Sequence, residues 1–151
     1  MTAENGIATF AALVAVVGLW AQIRSMRAQL TVQNFSHYNE RYQRAVASFP
    51  PSVLAPDFDL AALPAEEQLA LGRAFWYYFD LCLEEYHLYR QGLVSADVWR
   101  MWESGMRAAM TRTAFRQGWA QVNAVTSYAE FPGFVELMDG FARSAPGRPA
   151  N

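Results

Sequence analysis

The chain has 151 residues, which is enough for one domain and too short for two of ordinary size. Hydrophobic residues make up 53% of it, which is apolar for a soluble protein, and the net charge of −2 lacks the basic excess of domains that bind nucleic acid. The single cysteine, Cys82, excludes an internal disulfide and a cysteine zinc site, and its apolar surroundings favour a buried side chain over a reactive thiol.

An uncharged apolar run lies near the amino terminus. Residues 7–23, IATFAALVAVVGLWAQI, contain no charged side chain and rise about 26 Å as a helix, which is the short end of what crosses a bilayer. Trp20 lies where an interfacial aromatic belt would place it, and Arg24 and Arg27 follow at the membrane surface. The sequence therefore predicts a transmembrane anchor over residues 1–24.

The charges around this run predict its orientation. Several arginines follow it and only Glu4 precedes it, so the positive-inside rule places the amino terminus outside and the domain in the cytoplasm. The expected location is the bacterial inner membrane, as a single-pass protein in contact with the lipid bilayer. A cleaved signal peptide is the alternative, because LWA before Gln22 would serve as a cleavage site, although MTAEN carries no positive side chain.

A long helix is predicted to leave the membrane. No glycine or proline interrupts residues 19–49, and apolar residues recur there mostly at intervals of three or four. We expect the transmembrane helix to continue as an amphipathic helix until the prolines of FPPSVLAP stop it and begin a loop. The apolar spacing breaks between Leu30 and Phe35, so the pattern is not the sustained heptad of a coiled coil.

Four further helices are predicted after this loop, and together they form a small bundle. The first runs from near Pro64 to Gln91 with Gly92 as its cap, and it is expected to be the central helix because most of its sides are apolar. The second starts at a Ser95 cap, the third at Thr113, and the fourth follows AEFPG. No segment alternates as a strand would, so the fold class is all-α.

The predicted elements divide the chain into three regions. Residues 1–24 are the anchor, and residues 25–143 form a cytoplasmic helical domain. Residues 144–151 have nothing to bury and are expected to be a disordered tail.

A polar stripe on the central helix has the residue types of a metal site. Asp80, Glu84 and His87 lie within two turns, and Glu84 and His87 have the spacing found in di-iron carboxylate bundles. Such a site needs a second Glu-x-x-His pair, whereas the other histidine, His37, stands in the reverse order before Glu40. The set of metal ligands is therefore incomplete.

We therefore expect an ordinary polar stripe whose acids pair with Arg73 or Arg90, without a bound metal or other cofactor. The sequence also contains no glycine-rich phosphate loop, no G-x-S-x-G, no C-x-x-C and no H-E-x-x-H. The interpretation is a protein without catalytic residues. A membrane-bound enzyme or metal-binding protein that uses Asp80, Glu84 and His87 is the alternative.

Aromatic residues exceed what one small core obviously needs. Candidates for contact with a protein partner, or with a second copy of the chain, are Phe35, Tyr38 and Tyr42 on the long helix and Trp99 and Trp102 on the helix after Ser95. A stripe such as the one that holds the two tryptophans is usually core. Together with the anchor, these residues predict a membrane-anchored interaction module, an accessory subunit or scaffold of an inner-membrane complex.

A basic segment follows. GMRAAMTRTAFRQG, residues 105–118, holds Arg107, Arg112 and Arg116 and no acid. A solvated basic face is the ordinary interpretation, and contact with anionic lipid headgroups is the alternative.

Three segments carry a resemblance: ERYQRAVASFP at 40–50, YYFDLCLEEYHLYRQGLVSADVWRMWESGM at 77–106 and FRQGW at 115–119. They resemble an uncharacterised family of small bacterial single-span membrane proteins with a cytoplasmic helical domain. The resemblance covers most of residues 5–141 and rests on aromatic packing signatures. It implies the topology and fold given above, and it implies no activity.

Overall fold

The computed structural model describes residues 19, 20, 22 and 36–145. The chain divides into two units, Met1–His37 and Tyr38–Asn151. In the first unit, Leu19, Trp20 and Gln22 are helical and exposed.

Most of the predicted anchor, with Arg24 and Arg27, lies outside the described residues, and so do Phe35 and residues 146–151. Within the described part, no helix is both long enough and apolar enough to cross a membrane.

The described residues are all-α, as predicted, and no β-strand occurs among them. Helix α1 covers residues 36–47, α2 Ala65–Arg90, α3 Ala96–Met110, α4 Thr113–Val125 and α5 Pro132–Ser144. Two short 3-10 turns, Pro51–Leu54 and Leu60–Ala62, follow α1, and a third, Ser127–Glu130, precedes α5.

The predicted loop after α1 is more ordered than its prolines suggest. Its 3-10 turns bury Val53 and Leu60 against the bundle. Gln117 of α4 holds the second turn, because its side-chain oxygen accepts the Leu60 N–H at 2.9 Å and its amide nitrogen donates to Asp59 at 3.2 Å. The loop is thus fixed to α4.

Helix α2 ends as the glycine predicts. Gly92 has a φ of +69°, a left-handed conformation that glycine adopts without strain. Its N–H donates to the carbonyl of Tyr89 at 2.9 Å, and the N–H of Leu93 donates to the carbonyl of Leu88 at 2.9 Å. These two hydrogen bonds form a Schellman motif, which satisfies carbonyls that the helix leaves unpaired.

The start of α3 is also confirmed, since the Ser95 hydroxyl accepts the Val98 N–H at 3.3 Å. The start of α4 differs by one residue. Arg112 occupies the N-cap without a side-chain hydrogen bond, and Thr113 is the first helical residue.

Helix α2 is central, as predicted, and packs against both α3 and α4. The largest fully buried side chains come from α2, α3, α5 and the first 3-10 turn: Val53, Phe75, Tyr78, Phe79, Leu81, Met106, Met110, Phe134 and Met138. Helix α4 approaches α2 closely at Gly118, where an added Cβ would lie 2.4 Å from Cγ of Phe75. Glycine at this position therefore sets how closely the two helices pack.

Candidate functional site

The predicted polar stripe is joined to α1 at Glu84. Nη2 of Arg41 donates to one carboxylate oxygen at 2.9 Å, Nη1 donates to the other, and the Tyr38 hydroxyl donates at 3.2 Å. We call Tyr38, Arg41 and Glu84 the clasp. The expectation that Arg73 or Arg90 pairs with this acid is wrong, because a helical projection of α2 alone does not show an arginine on another helix.

The clasp is a charged, partly solvated arrangement. The two-pronged hydrogen bond to Glu84 raises the pKa of the Arg41 guanidinium above its ordinary value, so the pair stays ionised. Burial, with Glu84 nearby, raises the pKa of the Tyr38 hydroxyl, which stays protonated as a donor. The Tyr38 ring also lies 5.5 Å from that of Trp102, so two predicted partner residues contact each other.

The other members of the stripe do not converge on Glu84 as metal ligands. Asp80 is half-buried, and burial together with the charge of Glu84 raises its pKa. His87 is exposed and shares a hydrogen bond of 2.7 Å with Gln91. In the described part of the chain, no group of three His, Cys, Asp or Glu side chains could hold a metal ion.

The acid that sequence reasoning missed is Glu85, which is only 4% exposed. Burial raises its pKa to about 8, and Glu84 adds to the rise while Arg41 opposes it. The sequence does carry a signal for this burial. Glu85 follows Cys82 by three residues and Tyr78 by seven, so it lies on the same apolar side of α2 as these two residues. An acid among apolar neighbours on one helical face is a mark of a perturbed group.

Cys82 and two tyrosine hydroxyls close to it are also buried. The hydroxyls of Tyr78 and Tyr128 find no hydrogen-bond partner among the described residues. Burial raises the pKa of both hydroxyls and of the Cys82 thiol. A buried thiol that stays protonated is a poor nucleophile, so the inner face of α2 offers no obvious attacking group.

The predicted partner residues fall into different environments. Trp99 is buried, with its ring stacked on Tyr89 at 4.7 Å and edge-on to Tyr86 at 6.0 Å. Trp102 is half-buried against Tyr38, whereas Tyr42 is exposed. A partner contact through these side chains stays a prediction.

All three arginines in the basic segment make contacts within the domain, although the hydrogen bond from Arg112 to the carbonyl of Leu54 is long, at 3.5 Å. Arg107 lies 4.4 Å above the ring of Phe141 and pairs with Glu103 at 3.0 Å. Arg116 donates to the carbonyl of Thr111 at 2.7 Å, at the end of α3. Contact between this segment and lipid headgroups stays a prediction.

An apolar groove lies between α2 and α4, with a volume of about 230 Å³. Its lining consists of Leu69, Gly72, Arg73 and Trp76 of α2 and Gln121, Val122 and Val125 of α4. We call this set the α2–α4 groove. The groove has no local signal in the sequence, because it arises between helices that are about 50 residues apart in the chain.

The rims of the groove are exposed apolar side chains. Leu69 is 59% exposed, Trp76 51% and Val125 81%. Large apolar residues clustered beside a depression are typical of interaction surfaces rather than of ordinary surface. The α2–α4 groove is therefore open to a ligand.

Comparisons with known proteins leave the function to be argued from geometry, since no family model, curated protein or solved structure matches the chain. The resemblance to single-span bacterial membrane proteins therefore stays a prediction.

Proposed function

We propose that this protein is a membrane-anchored helical interaction module, an accessory subunit or scaffold of an inner-membrane protein complex. The observation that carries the proposal is the α2–α4 groove. Interface hot spots are enriched in tryptophan and arginine, and the groove presents Trp76 and Arg73 side by side with an apolar floor. Leu69, Trp76 and Val125 are all exposed and line this one depression, and a contiguous apolar patch of this kind is typical of an interaction site.

The interaction is tested by affinity purification of the full chain from native membranes in mild detergent, followed by mass spectrometry and sizing. We expect a reproducible protein partner that is lost with Trp76→Ala. Met101→Ala is the matched control, because Met101 of α3 is also 51% exposed and lies outside the groove. Recovery of wild-type chain as a monomer without a reproducible partner would overturn the proposal.

The membrane part of the proposal is supported by the sequence of residues 7–23 and by the arginines that follow it. Alkaline phosphatase fused after residue 30 or residue 143 should show no periplasmic activity, because both junctions are expected in the cytoplasm. Activity of either fusion in the periplasm would mean the reverse orientation or a cleaved signal peptide.

The alternative is a membrane-bound enzyme or metal-binding protein that uses Asp80, Glu84 and His87. The clasp weighs against it, because the carboxylate of Glu84 already accepts hydrogen bonds from Arg41 and Tyr38. Elemental analysis of the purified chain should find no stoichiometric transition metal. Bound iron, manganese or zinc in molar proportion to the chain would favour the alternative.

A further inference from the structure

We propose that the α2–α4 groove binds an amphipathic helix of a partner protein, and that this helix carries an acidic residue opposite Arg73. The inference rests on the proposed interaction function and deepens it by naming the surface and the chemistry of the partner.

The shape of the groove fits a helix. Leu69 and Trp76 are seven residues apart on α2, so they are separated by about 10 Å, which is two turns of a helix. The groove is open to solvent along one side, between the exposed rims at Leu69 and Val125. A helix presents apolar anchors at i, i+3 or i+4, and i+7 to such a groove and covers both rims.

Gly72 leaves room in the floor of the groove for an apolar side chain of the partner helix. It lies between Leu69 and Trp76 and has no side chain, and a Cβ there would come only to 3.6 Å from the side-chain nitrogen of Gln121. Val122, which is buried, supplies apolar surface on the α4 side. An apolar side chain of the partner therefore has both space and apolar contacts at this point.

The charge in the groove selects an acidic partner. Arg73 is the only charged lining residue, it is exposed, and it forms no ion pair among the described residues. Helix α4 contains no acid, and the nearest acids of α2 are Glu67 and Asp80, six and seven residues away. A carboxylate on the bound helix would give Arg73 a two-pronged partner in surroundings that the bound helix shields from water.

Two other occupants fit less well. In a symmetric dimer that packs Leu69 against Trp76 of the second copy, the two-fold axis passes between Gly72 and Arg73, so the two Arg73 side chains meet with like charge. The acyl chain of a lipid carries no charged group that could pair with Arg73 in the groove.

Photocrosslinking tests the proposal in the full chain in native membranes. A benzophenone amino acid replaces Leu69 in the groove or, as a control, Leu93, which is 53% exposed outside it. We expect position 69, and not position 93, to crosslink to a partner segment with apolar residues at i, i+3 or i+4, and i+7 and an Asp or Glu beside them.

The charge is tested in the same assay. Arg73→Glu should lower the crosslink yield at position 69 about tenfold, Arg73→Lys should retain most of it, and reversing the partner's acid to Arg should restore it with Arg73→Glu. Gly72→Leu fills the floor without a change of charge and should also abolish the crosslink. Thermal melting checks that each variant is folded.

The outcomes separate the two proposals. A crosslink to lipid, to a second copy of this chain or to a segment without an acid overturns the inference, as does an Arg73→Glu chain that crosslinks like wild type. A partner that co-purifies but does not crosslink at position 69 overturns the inference and leaves the interaction function in place. Absence of any partner overturns both.

Discussion

Among single residues, Glu85 should dominate the pH dependence of folding. Its pKa in the folded chain is about 8, against an ordinary value of 4.5, so the folded chain keeps a proton that the unfolded chain releases between these values. Stability is therefore full below pH 4.5 and falls as the pH rises to 8, with a slope of up to about 1.4 kcal/mol per pH unit. The raised pKa of Asp80 acts in the same direction.

Glu85→Gln should remove most of this slope, because the amide has the shape of the protonated acid and does not ionise. The variant is expected to exceed wild type in free energy of unfolding at pH 8 by a few kcal/mol. Urea unfolding at pH 5, 6.5 and 8 measures the slope, with the exposed Glu66→Gln as control. An equal slope in wild type and Glu85→Gln would show that Glu85 ionises freely in the folded chain.

The acids of α2 illustrate which single-residue properties follow from the sequence and which do not. The helical projection correctly separates the polar stripe from the apolar sides of α2, since that depends only on spacing. It does not give the partner of Glu84 or the burial of Glu85, because both depend on which face α1 covers. Arg41 lies 43 residues before Glu84, so only the tertiary structure brings the two side chains together.

Among the helices, two interior glycines have opposite surroundings. Gly118→Ala would place a Cβ 2.4 Å from the ring of Phe75, so α2 and α4 must separate, at a net cost of about 1–3 kcal/mol. Gly72→Ala meets only the flexible Gln121 side chain at 3.6 Å, so it should stabilise the chain by up to about 1 kcal/mol through helix propensity. Urea unfolding measures both changes, and a Gly118→Ala chain as stable as wild type would contradict the close packing.

The corner between α3 and α4 depends on Arg116. Its guanidinium donates to the carbonyls of Met110 and Thr111, which lack partners within the helix. Arg116→Ala should therefore lower the free energy of unfolding by about 1–2 kcal/mol.

Arg112→Ala is the matched control for this corner. The side-chain hydrogen bond of Arg112, to the carbonyl of Leu54, is exposed and 3.5 Å long, so the loss should stay within about 0.5 kcal/mol. Equal losses from the two variants in thermal or urea unfolding would rule out a capping role for Arg116.

The helices themselves were largely predictable, because their ends carry local chemical signals. Ser95 and Gly92 act within a few residues of chain, and the structure shows both caps. The 3-10 turns after α1 were not predicted, since Val53 and Leu60 are held by burial and by Gln117 rather than by a local pattern.

At the level of the domain, the clasp is a polar link between α1 and α2. A double-mutant cycle with Arg41→Ala and Glu84→Ala should give a coupling of about 1 kcal/mol, which is modest because both side chains are partly solvated. The measurement is urea unfolding of the four chains at low salt, and the coupling should fall as salt is added. Additive losses would mean that the ion pair between Arg41 and Glu84 does not contribute to holding α1.

Some features of the whole domain were predictable from the sequence and others were not. Periodicity was enough for the all-α class and for the central position of α2, because both follow from how apolar residues are spaced. The α2–α4 groove was not predictable, since Gly72 and Val122, which both line it, lie on different helices.

Cys82 provides a chemical probe for transient opening of the core. It is the only thiol in the chain and is 2% exposed at the centre of α2, so a thiol reagent reacts only in molecules whose core has transiently opened. When closing is faster than labelling, the native-state labelling rate divided by that of a free thiol is the equilibrium constant for opening, a quantity otherwise read from hydrogen exchange. If a groove variant such as Arg73→Glu is labelled as slowly as wild type, its core is intact and any loss of binding comes from the altered surface. If it is labelled faster, the substitution has destabilised the fold.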